Sequence, residues 1–230
     1  MKKTLLEKTA DKLVNAFINN KIIAPIPSKF TKKLSEAQKL RKLCEKKVSD
    51  PIIGFKAAGT GIPVIKKLKE KEPFYASIYK KNFFFSKGSI TMKSISKFIS
   101  HMAPCIEVVG YRQRKKGITS FGDLCSDFGA NVKFLIGQKK KYKKINIGNL
   151  KTVISNKKIK QIVSGNTNTV YINPLNSLRF VLNKIKKDKI NLNKDFYVFT
   201  GSTVGVVPIL GNGLYTGKID NLGSAKAIIY

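Results

Sequence analysis

After Asp50-Pro51 the chain consists largely of short apolar runs broken by glycine, proline, asparagine and aspartate. Runs of this length, bounded by turn residues, are typical of strands. The candidate strands are 52–56, 105–110, 132–137, 151–155 paired with 159–163, 196–200, 214–219 and 225–230. Many short strands with few helices predict an α+β domain that is mainly β.

Helical spacing of apolar residues is found in three segments. The first lies within residues 3–19, ahead of Asn19-Asn20. Ser35 followed by Gln38 predicts a capping box that opens a second helix, and Pro174 begins a third. We therefore expect a helical segment over residues 1–50 that packs on a β-rich domain over residues 51–230, the two forming one structural unit.

The chain carries a formal charge of +32, from 45 basic and 13 acidic residues. Such an excess of positive charge makes nonspecific nucleic-acid binding an alternative function to consider. Two observations favour solvated lysine-rich faces instead. Bidentate contacts to phosphates and bases prefer arginine, and the chain has only four arginines. The lysines are also scattered from Lys2 to Lys226, and the run at Lys139–Lys144 predicts a surface loop. We expect no sequence-specific nucleic-acid binding.

Cysteine usage predicts a reducing, cytoplasmic setting. Cys44, Cys105 and Cys125 are widely spaced, and His101 is the single histidine, so neither a disulfide framework nor a zinc site is indicated. The long uncharged stretch 196–217 contains several glycines and a proline. That composition predicts strand–turn–strand, and we expect no membrane association.

Several blocks follow the first two helices: Pro51–Thr60 (PIIGFKAAGT), Glu72–Ala76 (EPFYA), Ala103–Gly110 (APCIEVVG), Gly122–Asp127 (GDLCSD), Asn173–Asn176 (NPLN), Phe199–Ser202 (FTGS) and Ile219–Ser224 (IDNLGS). In their order and spacing these blocks resemble the 2-keto-4-pentenoate hydratase family. The resemblance implies the fumarylacetoacetate hydrolase-like fold with N-terminal helices. It also implies a hydro-lyase that adds water to a small 2-hydroxydienoate to give a 4-hydroxy-2-oxo acid, and a possible homo-oligomer.

The same resemblance implies a divalent metal, Mg or Mn, that holds the acid and stabilises its enolate. It places the family's proton-transferring lysine at Lys56 and a metal-binding glutamate at Glu107. The residues alone leave two alternatives open. Lys56 could be a surface lysine, and Glu107, in the middle of a strand, could form a structural ion pair.

The remaining candidates are weaker in pattern. Asp123 and Asp127 are expected either to complete the site, Asp123 at the metal and Asp127 in catalysis, or to act as supporting groups or caps. Ser202 and Thr203, beside Gly201, are expected to hydrogen-bond the carboxylate of the substrate. We assign His101 no role.

One expected feature is missing. The resembled family carries a Glu-x-Glu pair on a strand ahead of the Glu107-like strand, but no acidic residue lies between Glu72 and Glu107, where the chain reads Gly88–Lys93. Glu70-Lys71-Glu72 precedes Pro73 and belongs to an earlier segment. Two function classes follow: a hydro-lyase with a remodelled metal site, or a degenerate relative that binds a small carboxylic acid or serves as a partner subunit.

Overall fold

The computed structural model describes residues 3–80, 83–84, 99–113, 117–143, 146–190 and 195–230. Its α-helices are α1 (Leu5–Ile18), α2 (Leu34–Lys47), α3 (Ile62–Lys67), α4 (Phe121–Ser126) and α5 (Pro174–Lys187). Its strands are β1 (Ile52–Ala58), β2 (Phe74–Tyr79), β3 (Phe83–Phe84), β4 (His101–Met102), β5 (Cys105–Val109), β6 (Asn131–Ile136), β7 (Lys140–Lys141), β8 (Lys151–Asn156), β9 (Gln161–Asn166), β10 (Tyr197–Phe199), β11 (Gly213–Ile219) and β12 (Gly223–Ile229).

The two N-terminal helices pack on each other and on the β-rich part of the chain. Helix α1 begins at a capping box in which Thr4 and Glu7 satisfy each other's backbone N–H groups. The apolar faces of α1 and α2 form one buried cluster with Tyr79 and Phe128. The predicted Ser35–Gln38 capping box is wrong, because α2 already begins at Leu34 with no side-chain cap. Leu34 packs against a buried cluster, and that burial outweighs the missing cap.

The strands form several small sheets. A three-stranded sheet has the order β10-β1-β2, with β1 parallel to β10 and antiparallel to β2. A second three-stranded sheet has the order β3-β6-β5, and a four-stranded sheet has the order β12-β11-β8-β9. The predicted pairing of 151–155 with 159–163 is confirmed as an antiparallel hairpin, although β9 begins at Gln161.

Side chains along β1 alternate between its two faces, so consecutive residues contact different elements of the fold. Phe55 and Ala57 face α5 and pack with Val181 and Ile185. Lys56 lies between them in sequence and therefore faces the opposite side, toward the β3-β6-β5 sheet. Burial of each large apolar side chain in such a layer contributes roughly 1.5–3 kcal/mol. A lysine in this place is therefore surrounded by packed elements on both sides.

The stretch 196–217 contains two strands, but they do not form a hairpin. β10 pairs with β1, whereas β11 pairs with β8 and β12. Residues 200–212 connect the two sheets without strand or helix. None of the helices in the described ranges is long and apolar enough to cross a bilayer.

Candidate functional site

The β10-β1-β2 sheet and the β3-β6-β5 sheet meet at a partly buried ion pair between Lys56 and Glu107. Lys56 lies opposite Ala76 on β2 and Phe199 on β10, and only 4% of its surface is exposed. Its Nζ donates to Oε1 of Glu107 and, at 2.7 Å, to the carbonyl oxygen of Gly129. Glu107 projects from β5, and 27% of its side chain is exposed. Lys56 is therefore buried, whereas Glu107 is partly accessible.

Gly129 supplies the second acceptor for the Lys56 ammonium. It lies in a tight turn, Phe128–Ala130, with φ of 67°, a conformation that glycine adopts freely. A Cβ at this position would lie 2.9 Å from Cε of Lys56 and 3.1 Å from Cβ of Ala76. A side chain at this position would therefore crowd Lys56 and strain the turn whose carbonyl accepts from Lys56.

Asp127 lies next to this turn, but its carboxylate binds Arg112 and not Lys56. Its fully buried carboxylate accepts from the backbone N–H of Arg112 at 2.9 Å and from the Arg112 guanidinium at 3.1 Å. Burial raises the pKa of Asp127 to about 6, although Arg112 and, more weakly, Lys56 act in the opposite direction. The structure therefore places Asp127 beside Arg112, behind the Lys56–Glu107 pair.

Asp123 caps a helix. Its carboxylate accepts from the backbone N–H groups of Thr119 and Ser120 at 2.8 and 3.0 Å, while the Ser120 hydroxyl accepts from the backbone of Asp123. This is a capping box at the start of α4, where an acidic residue also interacts favourably with the helix dipole. The sequence carries the signal, because Ser120 and Asp123 have the required spacing. The structure does not bring Asp123 together with Glu107.

Glu107 opens onto a cavity of about 590 Å³. The cavity lies between β5, β10, the connection 200–209 and the inner face of the four-stranded sheet, and most of its lining is apolar. Lys56 and Asp127 are not part of this lining. A carboxylate in a mainly apolar cavity is the usual composition of a site for a small organic ligand.

Ser202 and Thr203 line the same cavity. The Ser202 hydroxyl donates to the carbonyl of Gly205 at 2.7 Å, and the Thr203 carbonyl accepts from the backbone N–H of Asn166 at 3.2 Å. The Ser202 hydroxyl has one proton, and that proton is already donated within the loop. These residues shape the wall of the cavity beside Gly201.

A residue that the sequence analysis placed in a surface loop also reaches the cavity. Lys139 follows β6, and its Nζ lies 4.9 Å from the centre of the Tyr197 ring. Its neighbours Lys140 and Lys141 form the exposed strand β7, paired with β4. Within a run of lysines, nothing in residue type distinguishes the one that turns inward. Lys144 and the segment Gly88–Lys93 lie outside the described residues.

The residues around Glu107 do not fit a divalent metal. Mg and Mn need several oxygen ligands, usually with more than one carboxylate. All aspartates, glutamates, cysteines and the histidine of the chain lie in the described ranges, and no three of them come together as a metal site there. Glu72, of the Glu70-Lys71-Glu72 sequence, instead accepts from Lys184 at 2.5 Å. At Glu107, the ammonium of Lys56 lies where a cation would bind.

Comparisons with known proteins bear on the fold. No family model matches the sequence, and no curated protein matches it. Several solved structures match, and two of them are of 4-oxalocrotonate decarboxylase from Pseudomonas putida G7. The first, complexed with magnesium and adipate, has a TM-score of 0.83 and 16% identity over 98% of this chain and 97% of that chain. The second, complexed with calcium and acetate, has a TM-score of 0.82 and 16% identity over 100% and 99%.

At this identity the likeness concerns the fold alone. The decarboxylase belongs to the fumarylacetoacetate hydrolase superfamily, and the match extends over nearly the whole of both chains. The prediction of fold class is therefore confirmed: the chain has an α+β, mainly β, fumarylacetoacetate hydrolase-like fold with N-terminal helices.

Proposed function

We propose that the protein is a lyase of small 2-oxo acids, of the hydratase type, and that its reaction takes place in the cavity beside Glu107. The observation that carries the proposal is the position of Glu107. Glu107 lines a mainly apolar cavity, and its carboxylate accepts from the buried ammonium of Lys56. The fold is shared with a decarboxylase whose solved structures hold adipate and acetate, which supports a small carboxylic acid as the ligand.

Hydration of a 2-hydroxydienoate requires protons to move at two stages. The dienol first loses its hydroxyl proton and gains one at the far carbon, which gives a conjugated 2-oxo acid. Water then adds across the remaining double bond, with its hydroxyl on one carbon and a proton on the other. In this proposal Glu107 accepts and returns these protons, because a general acid–base group must reach the ligand directly and Glu107 lines the cavity.

Lys56 is a positioning residue in this scheme. It does not line the cavity, and its Nζ is held by both Glu107 and the Gly129 carbonyl. Two hydrogen bonds from opposite sides fix the ammonium, and the ammonium in turn fixes the carboxylate. A group held in this way loses little entropy when the ligand arrives.

The donor set at Glu107 fits no divalent cation, so no step of this scheme passes through a metal. The ammonium of Lys56 supplies a positive charge beside Glu107 and offsets the negative charge that its carboxylate brings to the cavity. We propose that the charge a metal provides elsewhere is provided here by ammonium groups of the chain.

The single carboxylate at the site also favours a second candidate function. A degenerate relative would bind a small acid in the same cavity without converting it, and would act as a carboxylate-binding partner subunit. The two candidates share the ligand and differ in turnover.

The experiment is to incubate 2-hydroxypenta-2,4-dienoate with the wild type, Glu107→Gln and Glu72→Gln, and to follow its products by NMR. Glu72→Gln is the matched control, because its carboxylate lies at a surface ion pair. We expect a 4-hydroxy-2-oxo acid from the wild type and the control, and a rate lower by about 10²–10⁴ for Glu107→Gln. Binding without product would select the partner-subunit function, and full turnover by Glu107→Gln would remove the proposal.

A further inference from the structure

We propose that Lys139 binds the carboxylate of the acid in this cavity. The inference rests on the proposed function and deepens it by naming the group that holds the ligand. Lys139 follows β6 and lines the cavity together with Glu107. The ligand carboxylate binds at Lys139, and the carbon chain extends from there toward Glu107.

The Lys139 ammonium is buried without an ionic partner. Its Nζ is shielded from solvent and makes no hydrogen bond to any described residue. Its one specific contact is the face of the Tyr197 ring, 4.9 Å away. A buried ammonium normally has an anion or several acceptors around it, since its loss of water is costly. No described residue accepts a hydrogen bond from the Lys139 Nζ, so a carboxylate from a ligand would complete its surroundings.

Other cations and hydroxyl groups near the cavity are less suited to bind a carboxylate. Among the described lining residues, the only other ammonium is that of Lys218, which is 66% exposed and lies 3.7 Å from Asp220. Lys56 stands behind the cavity wall and donates to Glu107. The Ser202 hydroxyl donates to Gly205. Lys139 is therefore the cation that a carboxylate entering the cavity would meet.

Strand β10 relates the positions of Lys139 and Glu107. Tyr197, beneath the Lys139 ammonium, pairs with Gly54, and Phe199 pairs with Lys56, the partner of Glu107. Two residues along a strand correspond to about 7 Å. The cavity thus presents a cation at one place, a carboxylate at another, and apolar walls between them. A second carboxylate at the far end of the ligand would be repelled by Glu107, so we infer that monocarboxylic 2-oxo acids are preferred to dicarboxylates.

The test is calorimetric titration of the full chain with 2-oxopentanoate and with adipate. The variants are Lys139→Met, which keeps the length of the side chain without its charge, and Lys139→Arg, which keeps the charge. Lys141→Met is the control, because Lys141 is exposed two residues away. We expect 2-oxopentanoate to bind at least about tenfold more weakly to Lys139→Met, because a charge-assisted hydrogen bond is lost. Lys139→Arg and the control should stay near the wild type, and adipate should bind the wild type more weakly than 2-oxopentanoate.

A second measurement separates this role from a structural one. Because the ammonium is buried without a partner, Lys139→Met should raise the melting temperature of the ligand-free protein while it weakens binding. A lower melting temperature, or unchanged affinity for 2-oxopentanoate, would overturn the inference and leave the proposed function standing. If binding depends on Lys139 but no turnover is found, the inference is supported and the proposal that the protein is a lyase is rejected. A wild type that binds neither acid would overturn both.

Discussion

Lys56 and Glu107 stand 51 residues apart in sequence, on strands of two different sheets, and join those sheets through one partly buried ion pair. Lys56 also donates to the Gly129 carbonyl, so the pair is fixed within the protein, and Glu107 lines the cavity. In the proposed function, Lys56 holds Glu107 in place and Glu107 contacts the ligand.

The first prediction concerns the energy of this pair. Lys56→Met should destabilise the fold, because it leaves a carboxylate at the sheet junction without its partner. In a double-mutant cycle with Glu107→Gln, we expect a coupling free energy of about 1–3 kcal/mol from chemical denaturation. The control cycle is Lys39 with Glu36, an exposed pair whose coupling should stay below about 0.5 kcal/mol. Equal coupling in the two cycles would show that the buried pair contributes no more than a surface one.

The second prediction concerns the turn that holds Lys56. Gly129→Ala combines a left-handed backbone, which costs about 1–2 kcal/mol for a residue with a Cβ, with a Cβ placed 2.9 Å from Lys56. Gly117→Ala is the matched control, since its φ of 73° is similar and nothing lies within 4 Å of a Cβ there. Gly129→Ala should destabilise the protein clearly more than the control and should also reduce turnover. Equal melting temperatures for the two variants would contradict the close approach.

The third prediction is a pH dependence carried by Asp127. Burial raises its pKa from 3.8 to about 6 in the folded protein, so the folded state binds the proton more tightly than the unfolded chain. The stability from this group is fully present below the unfolded pKa of 3.8 and is lost as the pH rises through about 6. The free energy of unfolding of the wild type, compared with that of Asp127→Asn, should fall by roughly 2–3 kcal/mol from pH 4 to pH 8. A difference between the two proteins that does not change with pH would contradict the raised pKa.

The fourth prediction concerns metals. Because Glu107 is the single carboxylate at the cavity, millimolar Mg or Mn should raise the melting temperature no more than sodium chloride of the same ionic strength. Chelation should leave the turnover unchanged. A saturable rise in the melting temperature that disappears in Glu107→Gln would show that a metal does bind at this carboxylate.

Local patterns in the sequence predicted much of what surrounds the site. The apolar run before Lys56 and the glycine after it predicted a strand and a turn, and β1 has this form. Pro174 predicted the start of α5, where Asn173 provides the N-cap. These features depend on neighbouring residues, so a single sequence is enough to find them.

The relationships between distant residues were harder to predict. The parallel pairing of β1 with β10 joins Lys56 to Phe199, and no local pattern specifies such a pairing. The role of Asp123 was visible as the spacing Ser120–Asp123, but the same residue also fitted the resemblance to a metal site. Lys139 differs from its neighbours only in the direction that β6 gives it after Gly137. Charge and residue type could not distinguish it.

The central claim is that Glu107 moves protons on a small 2-oxo acid in this cavity. The most direct measurement is the incorporation of deuterium from D₂O into 2-oxopentanoate at the carbon beside its keto group, followed by proton NMR. Exchange by the wild type should exceed the rate without protein, should be retained in Glu72→Gln, and should fall to the background in Glu107→Gln. Exchange at the wild-type rate in Glu107→Gln, or no exchange in the wild type while 2-oxopentanoate is bound, would contradict the account.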